Sequence, residues 1–142
     1  MDIKNKLEIV TRSKFDPRLK LSELVELLEL DKTKDLIGLD FNGVSFCGDD
    51  LSNFNFTDCN FRNANLMSCI LINTNFTNCC LKEVNLQYTI LTGTNFTLAK
   101  LAKLVFMMQS LLIQSLLIQI TLGSKYILTC LLCFIYNKQV FN

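Results

Sequence analysis

Between Lys34 and Lys103, leucine or phenylalanine falls on every fifth residue, fourteen times in phase. The series runs Leu36, Phe41, Phe46, Leu51, Phe56, Phe61, Leu66, Leu71, Phe76, Leu81, Leu86, Leu91, Phe96 and Leu101. A period of five matches neither the helical period nor strict strand alternation. It requires a backbone that turns a corner once per five residues, with the leucine or phenylalanine inside. The flanking slots agree. Two residues before the centre the side chain is mostly small: Cys59, Ala64, Cys69, Thr74, Cys79, Val84, Thr89, Thr94 and Ala99. The residue just before the centre is often asparagine, as at Asn55, Asn60, Asn65, Asn75, Asn85 and Asn95. Two residues after it come turn formers such as Gly38, Gly43, Gly48, Asn53, Asp58, Asn63, Ser68, Asn73, Asn78 and Gly93. Four of the five glycines share that slot, which suits residues that tolerate tight-turn dihedrals.

These units resemble the pentapeptide-repeat family, whose signature is A-(D/N)-L-x-x. The resemblance implies an all-β solenoid, a right-handed quadrilateral parallel β-helix with four units per coil. Fourteen units then make about 3.5 coils, with successive rows about 4.8 Å apart. Residues twenty apart stack in four columns: Leu36/Phe56/Phe76/Phe96, Phe41/Phe61/Leu81/Leu101, Phe46/Leu66/Leu86 and Leu51/Leu71/Leu91. The first coil departs from the pattern. Its small-residue slot holds Leu39, Val44 and Asp49, and Phe54 opens the next coil. An unpartnered carboxylate inside the coil would favour its neutral form. Asp49 is therefore expected near the N-terminal end, reaching water or a backbone N–H.

Residues 1–33 read as a helical N-terminal cap, because terminal units of a repeat stack must hide their open core. Ile3, Leu7 and Val10 are spaced for one helical face. Asp16-Pro17 then breaks the chain. A second helix is expected from Glu23 to about Leu30, capped by Ser22. Its apolar stripe is Leu21, Leu24, Val25 and Leu28, widened by Leu27 and Leu30. A separate helical adaptor for a partner is the alternative reading.

Asn55-Phe56-Thr57, Asn75-Phe76-Thr77 and Asn95-Phe96-Thr97 match the glycosylation sequon. They recur every twenty residues, so the repeat explains them without sugar, and a ladder of side-chain hydrogen bonds along Asn55, Asn75 and Asn95 is expected. Cys59 and Cys79 lie one coil apart but read as small inward fillers rather than a disulfide, with Cys47 and Cys80 facing outward. One outer side differs from its Asn, Thr and Ser surroundings. Ile70, Ile72 and Ile90 occupy outward slots, with Met67 and Tyr88 near the adjoining edge. They form a candidate interface for an unknown protein partner or for self-association.

The tail, residues 104–142, breaks the inward code, with Gln109 and Gln114 in the small-residue slot. Yet Gln109-Ser-Leu-Leu-Ile113 repeats as Gln114-Ser-Leu-Leu-Ile118. The codons ACA ATC CTT ATT AAT encode Thr-Ile-Leu-Ile-Asn, a legitimate family unit; read one base later and repeated, they encode Gln-Ser-Leu-Leu-Ile. The tail is therefore expected to be a frame-shifted continuation of a longer repeat gene, with the slip between Phe96 and Leu104. The other frames of the coding DNA decide this. A hydrophobic cap and a membrane anchor are the alternatives, since Leu104 to Leu122 is uncharged and long enough to span a bilayer. Cys130-Leu-Leu-Cys133 is a weak redox or metal motif in an apolar run.

Composition narrows the function classes. At 142 residues the chain is one domain with appended ends, and its net charge is +1, so no global field draws in nucleic acid. There is no histidine, which removes the commonest acid–base group and metal ligand. No cofactor, metal or catalytic set is expected, and the chain is not expected to be an enzyme. No apolar run follows the charged N-terminus, so a cytoplasmic location with reduced thiols is expected. The resemblance also brings an alternative, since some pentapeptide-repeat proteins mimic DNA and bind DNA gyrase. From Phe41 to Leu98 the charges sum to only −2, which disfavours that role. A non-catalytic structural and protein-interaction module is the reading that fits best, with a membrane-tethered repeat protein as the other alternative.

Overall fold

The computed structural model describes residues 2–12 and 20–101. The Asp16-Pro17 break and the tail from residue 104 onward lie outside them. From Asp40 to Lys100 the chain pairs with itself in parallel at a constant offset of twenty residues, as in Asn55↔Asn75 and Asn75↔Asn95. Each rung repeats three hydrogen bonds. On one side, Phe56 N–H donates to the Asn75 carbonyl at 2.8 Å, Asn75 N–H to Phe54 at 2.9 Å and Asp58 N–H to Thr77 at 3.0 Å. Between sides the chain turns. Cys59 N–H donates to the Phe56 carbonyl at 3.1 Å, Ala64 to Phe61 at 2.9 Å, Cys69 to Leu66 at 3.1 Å and Thr74 to Leu71 at 3.2 Å. Four turns bring the chain back over its starting point, which makes the molecule a four-sided parallel β-helix.

The corners explain the turn-former slot. The residue two after each centre has positive φ, from Gly38 at 73° through Asn63 at 57° to Leu98 at 59°. Positive φ at the third residue of a hydrogen-bonded turn is the type II signature, favouring glycine and asparagine. At Gly93 a side chain has a second obstacle, because a Cβ there would lie 2.2 Å from Asn73 Oδ1. Glu83, Tyr88 and Leu98 sit in the same slot with φ near 60° and carry no local signal for it. The rungs impose that conformation on them.

The repeat centres line the interior of the coil. Leu36, Phe41, Phe46, Leu51, Phe56, Phe61, Leu66, Leu71, Phe76, Leu81, Leu86 and Phe96 are buried, and Leu91 and Leu101 are partly buried against them. Phe56, Phe76 and Phe96 stack with ring centroids 5.4 and 5.6 Å apart. The small-residue slot does more than fill space. Cys59, Cys69 and Cys79 direct their thiols at the carbonyls of Leu36, Phe46 and Phe56 at 3.0, 3.0 and 2.7 Å. Thr74 and Thr94 donate to Leu51 and Leu71 at 2.8 and 2.7 Å. Cysteine and threonine share this slot with Ala64, Val84 and Ala99; all are small, and the first two can also donate.

Helix α1 spans Ile3–Arg12 and helix α2 spans Leu21–Leu27. Val10 of α1 and Leu21 and Val25 of α2 join the same buried cluster as the coil, with Leu7 packed against it, while Ile3 is exposed. Two sequence-based expectations for the second helix need correcting. Ser22 does not cap it: Lys20 holds the N-cap position with extended backbone and no side-chain cap. The acceptor comes from the coil. Asp49, buried, receives Leu21 N–H at 2.7 Å, Ser22 N–H at 3.3 Å and the Ser22 hydroxyl at 2.5 Å. The inward carboxylate is thus spent on the first orphan donors of α2, where a negative charge also suits the helix dipole. Lys20 Nζ donates to the Cys47 carbonyl beside it.

The helix also ends earlier than the stripe suggests. Leu28 is the C-cap and Glu29 turns left-handed at φ 53°. Glu29 N–H reaches Glu26 and Leu30 N–H reaches Val25, the paired bonds of a Schellman ending. Leu30 is therefore buried from outside the helix, and Leu27, expected in the stripe, is 77% exposed.

Asp49→Ala should cost about 1–3 kcal/mol, because it strands buried donors while leaving in the slot a residue already used at Ala64. Urea unfolding gives the loss, and amide exchange at Leu21 and Ser22 should accelerate selectively. Unchanged exchange there would mean that Asp49 does not hold α2.

Candidate functional site

Outward slots on a four-sided coil form columns too, and they differ from side to side. On the Phe76 side they are asparagine and threonine. Each asparagine Oδ1 accepts from the threonine two residues on, through both N–H and hydroxyl, as Asn75 does from Thr77 at 3.0 and 2.6 Å. Asn75 Nδ2 then reaches up to Asn55 Oδ1 and Thr57 Oγ1, both at 3.1 Å. Asn95 Nδ2 reaches Thr77 Oγ1 at 3.1 Å. The expected ladder is present in altered form: its rungs run through threonine hydroxyls as well as amides. That network explains why Asn-x-Thr recurs on this side.

The Leu71 side carries isoleucine at three of its outward slots, beside Asp50, Ser52 and Thr92. Asp50, Ile70 and Ile90 pair in one outward column, and Ile72 stands across the buried Leu71 in the same row as Ile70. Ile90 is 45% exposed and Tyr88, at the neighbouring corner, 58%. Ile70, Ile72 and Met67 are half-buried. The coil brings Ile70 and Ile90 into direct stacking. Met67 belongs to the adjoining Leu66 side, between Cys47 above and Gln87 below, so it borders the patch across the Tyr88 corner. At the upper end Asp50 Oδ1 accepts Ser52 N–H at 3.0 Å and the Ser52 hydroxyl at 2.6 Å. Those bonds hold its carboxyl below the usual carboxylate range.

The buried thiols are the other groups with chemical potential. Cys59, Cys69 and Cys79 are free, and burial pushes each thiol up to about 12. A thiol kept protonated is a poor nucleophile and metal ligand. Cys47 and Cys80 are free and half-buried on the outside. Among the described residues no group of three His, Cys, Asp or Glu side chains converges to hold a metal ion. Also among them, no helix is long and apolar enough to cross a membrane; the segment Leu104 to Leu122 lies outside them.

The family model for pentapeptide repeats matches residues 50–82 and 79–106. No curated protein matches the chain. Among solved structures, a pentapeptide repeat protein from the Arabidopsis thaliana thylakoid lumen is 30% identical, over 47% of this chain and 46% of that one, with a TM-score of 0.47. The chain therefore spans less than half of that relative's length. The pentapeptide repeat protein Rfr23 of the cyanobacterium Cyanothece 51142 is 17% identical over 50% of this chain and 83% of its own, with a TM-score of 0.26. HetL of Nostoc sp. strain PCC 7120, involved in heterocyst differentiation regulation, is 18% identical over 50% and 40%, with a TM-score of 0.23. The fivefold period, the twenty-residue register and the matched repeat model together identify the coil as one built of pentapeptide repeats.

Proposed function

We propose that this protein works by binding, as a non-catalytic interaction module that presents a rigid wall to a protein partner or to a second copy of itself. The coil is read as right-handed and about 3.5 turns long. Residues 1–33 serve as its N-terminal cap, 34–103 as the β-helix and 104–142 as an appended tail. One observation carries the proposal: Ile70 and Ile90 stack outward with Ile72 beside them, on a wall whose neighbouring sides carry mainly asparagine, threonine, serine and glutamine, with Met67 and Cys47 on the Leu66 side. Exposed apolar surface on an otherwise polar scaffold is what a docking face requires. The near-neutral wall argues against mimicry of DNA, and a role for residues 104–122 in membrane tethering is the second reading from the sequence.

The test replaces Ile70 and Ile90 together with lysine in the full-length chain and in a chain ending at Lys103. Sedimentation should show any self-association weakened at least tenfold, and partner capture should fall equally, with the fold intact by circular dichroism. Unchanged assembly and capture would sink the reading. Binding that depends on the tail instead would move the interaction to residues beyond 103.

A further inference from the structure

The chain contains a single Asn-Gly pair, Asn42-Gly43, at a corner of the first coil row. Asparagine followed by glycine is the sequence most prone to spontaneous deamidation, because glycine has no side chain to hinder ring closure. The Gly43 amide nitrogen, deprotonated by solvent hydroxide, bonds to Asn42 Cγ. The bond from Cγ to the side-chain nitrogen breaks, and ammonia leaves. Water then opens the resulting succinimide at either carbonyl, giving aspartate or isoaspartate at position 42. No other reactant is needed.

Packing does not prevent this reaction. Asn42 and Gly43 are both exposed, and nothing lies within 4 Å of where a Gly43 Cβ would stand. What engages the attacking nitrogen is the rung itself. Gly43 N–H donates to the Arg62 carbonyl at 2.8 Å. The corner is pinned on either side, by Val44 N–H on the Phe41 carbonyl at 3.1 Å and by Asn42 N–H on Asp40 Oδ1 at 3.0 Å. To attack, the nitrogen must leave the Arg62 carbonyl.

We infer that Asn42 is a spontaneous modification site gated by opening of the first rung. The rate of deamidation then follows the fraction of time that the Gly43–Arg62 bond is broken, as amide exchange does for local opening. The isoaspartyl product adds a methylene to the backbone at a corner where spacing must be five residues. That rung cannot close again in register, so a transient opening becomes permanent.

The experiment incubates the full-length protein at mildly alkaline pH, with and without denaturing guanidinium, and follows position 42 by peptide mapping and mass spectrometry. Modification at Asn42 should be at least tenfold slower in the folded protein than in guanidinium. Asn42→Gln, which closes the ring far more slowly, should stay unmodified in both. Equal rates in the two conditions would overturn the gating. Absence of modification in guanidinium, or faster reaction of another asparagine in the folded chain, would overturn the site.

Discussion

Phe76→Ala is expected to lower the unfolding free energy by about 3–5 kcal/mol, the cost of removing a large aromatic from a close-packed core. Phe76 is fully buried and has an aromatic ring above, below and beside it. Phe56 lies at 5.4 Å and Phe96 at 5.6 Å, both stacked, and Phe61 at 5.3 Å edge-on. Collapse around the vacancy is resisted from two directions, because the rungs hold the rows above and below at a set spacing. For a domain whose whole stability is about 5–15 kcal/mol, this is a large fraction. Guanidinium unfolding measures it directly. Phe76→Leu should cost much less, since leucine fills the same inward slot at Leu36. A negligible change for alanine would contradict the stacked column.

The second large effect is alkaline. Cys59, Cys69 and Cys79 are held protonated up to about pH 12, chiefly because burial penalises the thiolate, whereas the ordinary thiol value is 9.0. Their S–H groups also point at backbone carbonyls, which favours the same protonation state. In the unfolded chain these thiols ionise near pH 9, in the folded one far later. Their contribution is therefore fully present below pH 9 and is lost as the pH climbs toward 12. Each thiol gives a slope of about 1.4 kcal/mol per pH unit in that window, so the three together steepen the alkaline limb. Replacing all three with threonine, which already donates from this slot at Thr74 and Thr94, should flatten the fall between pH 9 and 11. Parallel stability curves for the two proteins would show that the thiols are not desolvated.

The legibility of the fold varied with the range of the forces involved. The fivefold period announced the inward columns because every unit repeats the same demand, a large apolar side chain and a turn two residues later. The same repetition marked Asn55, Asn75 and Asn95 as stacked. The role of Thr57 and Thr77 as ladder members escaped, although Asn-x-Thr at twenty-residue intervals was its signal. Three corners carried no turn-forming residue and could not be read. Glu83, Tyr88 and Leu98 take positive φ where the carbonyl just before each, on Lys82, Gln87 and Thr97, is held by the N–H of Asn63, Ser68 and Asn78 in the row above. Cysteine in the inward slot read as filler, and its sharing of that slot with threonine was the missed cue to a donor.

The helical end shows the limit most sharply. Ser22 looked like a cap because local rules score a serine before a glutamate. The cap is Asp49, twenty-seven residues further along, and a distant carboxylate is invisible to any local reading. The Ile70, Ile72 and Ile90 patch was legible as outward positions, but the placement of Met67 and Tyr88 beside it depended on where the corners fall.

By itself, the sequence determined which residues face inward and that the chain turns once in five residues, because every unit repeats the same demand. That four units close a coil was implied by the resemblance, and the pairing at twenty residues is where the structure carries it. Tertiary structure alone decided what the irregular residues do. It turned Asp49 into the anchor of α2, drew glutamate, tyrosine and leucine into left-handed corners and left Leu27 in solvent. These outcomes depend on partners brought near by the coil, and a partner's hydrogen bond or buried surface outweighs a single residue's local preference.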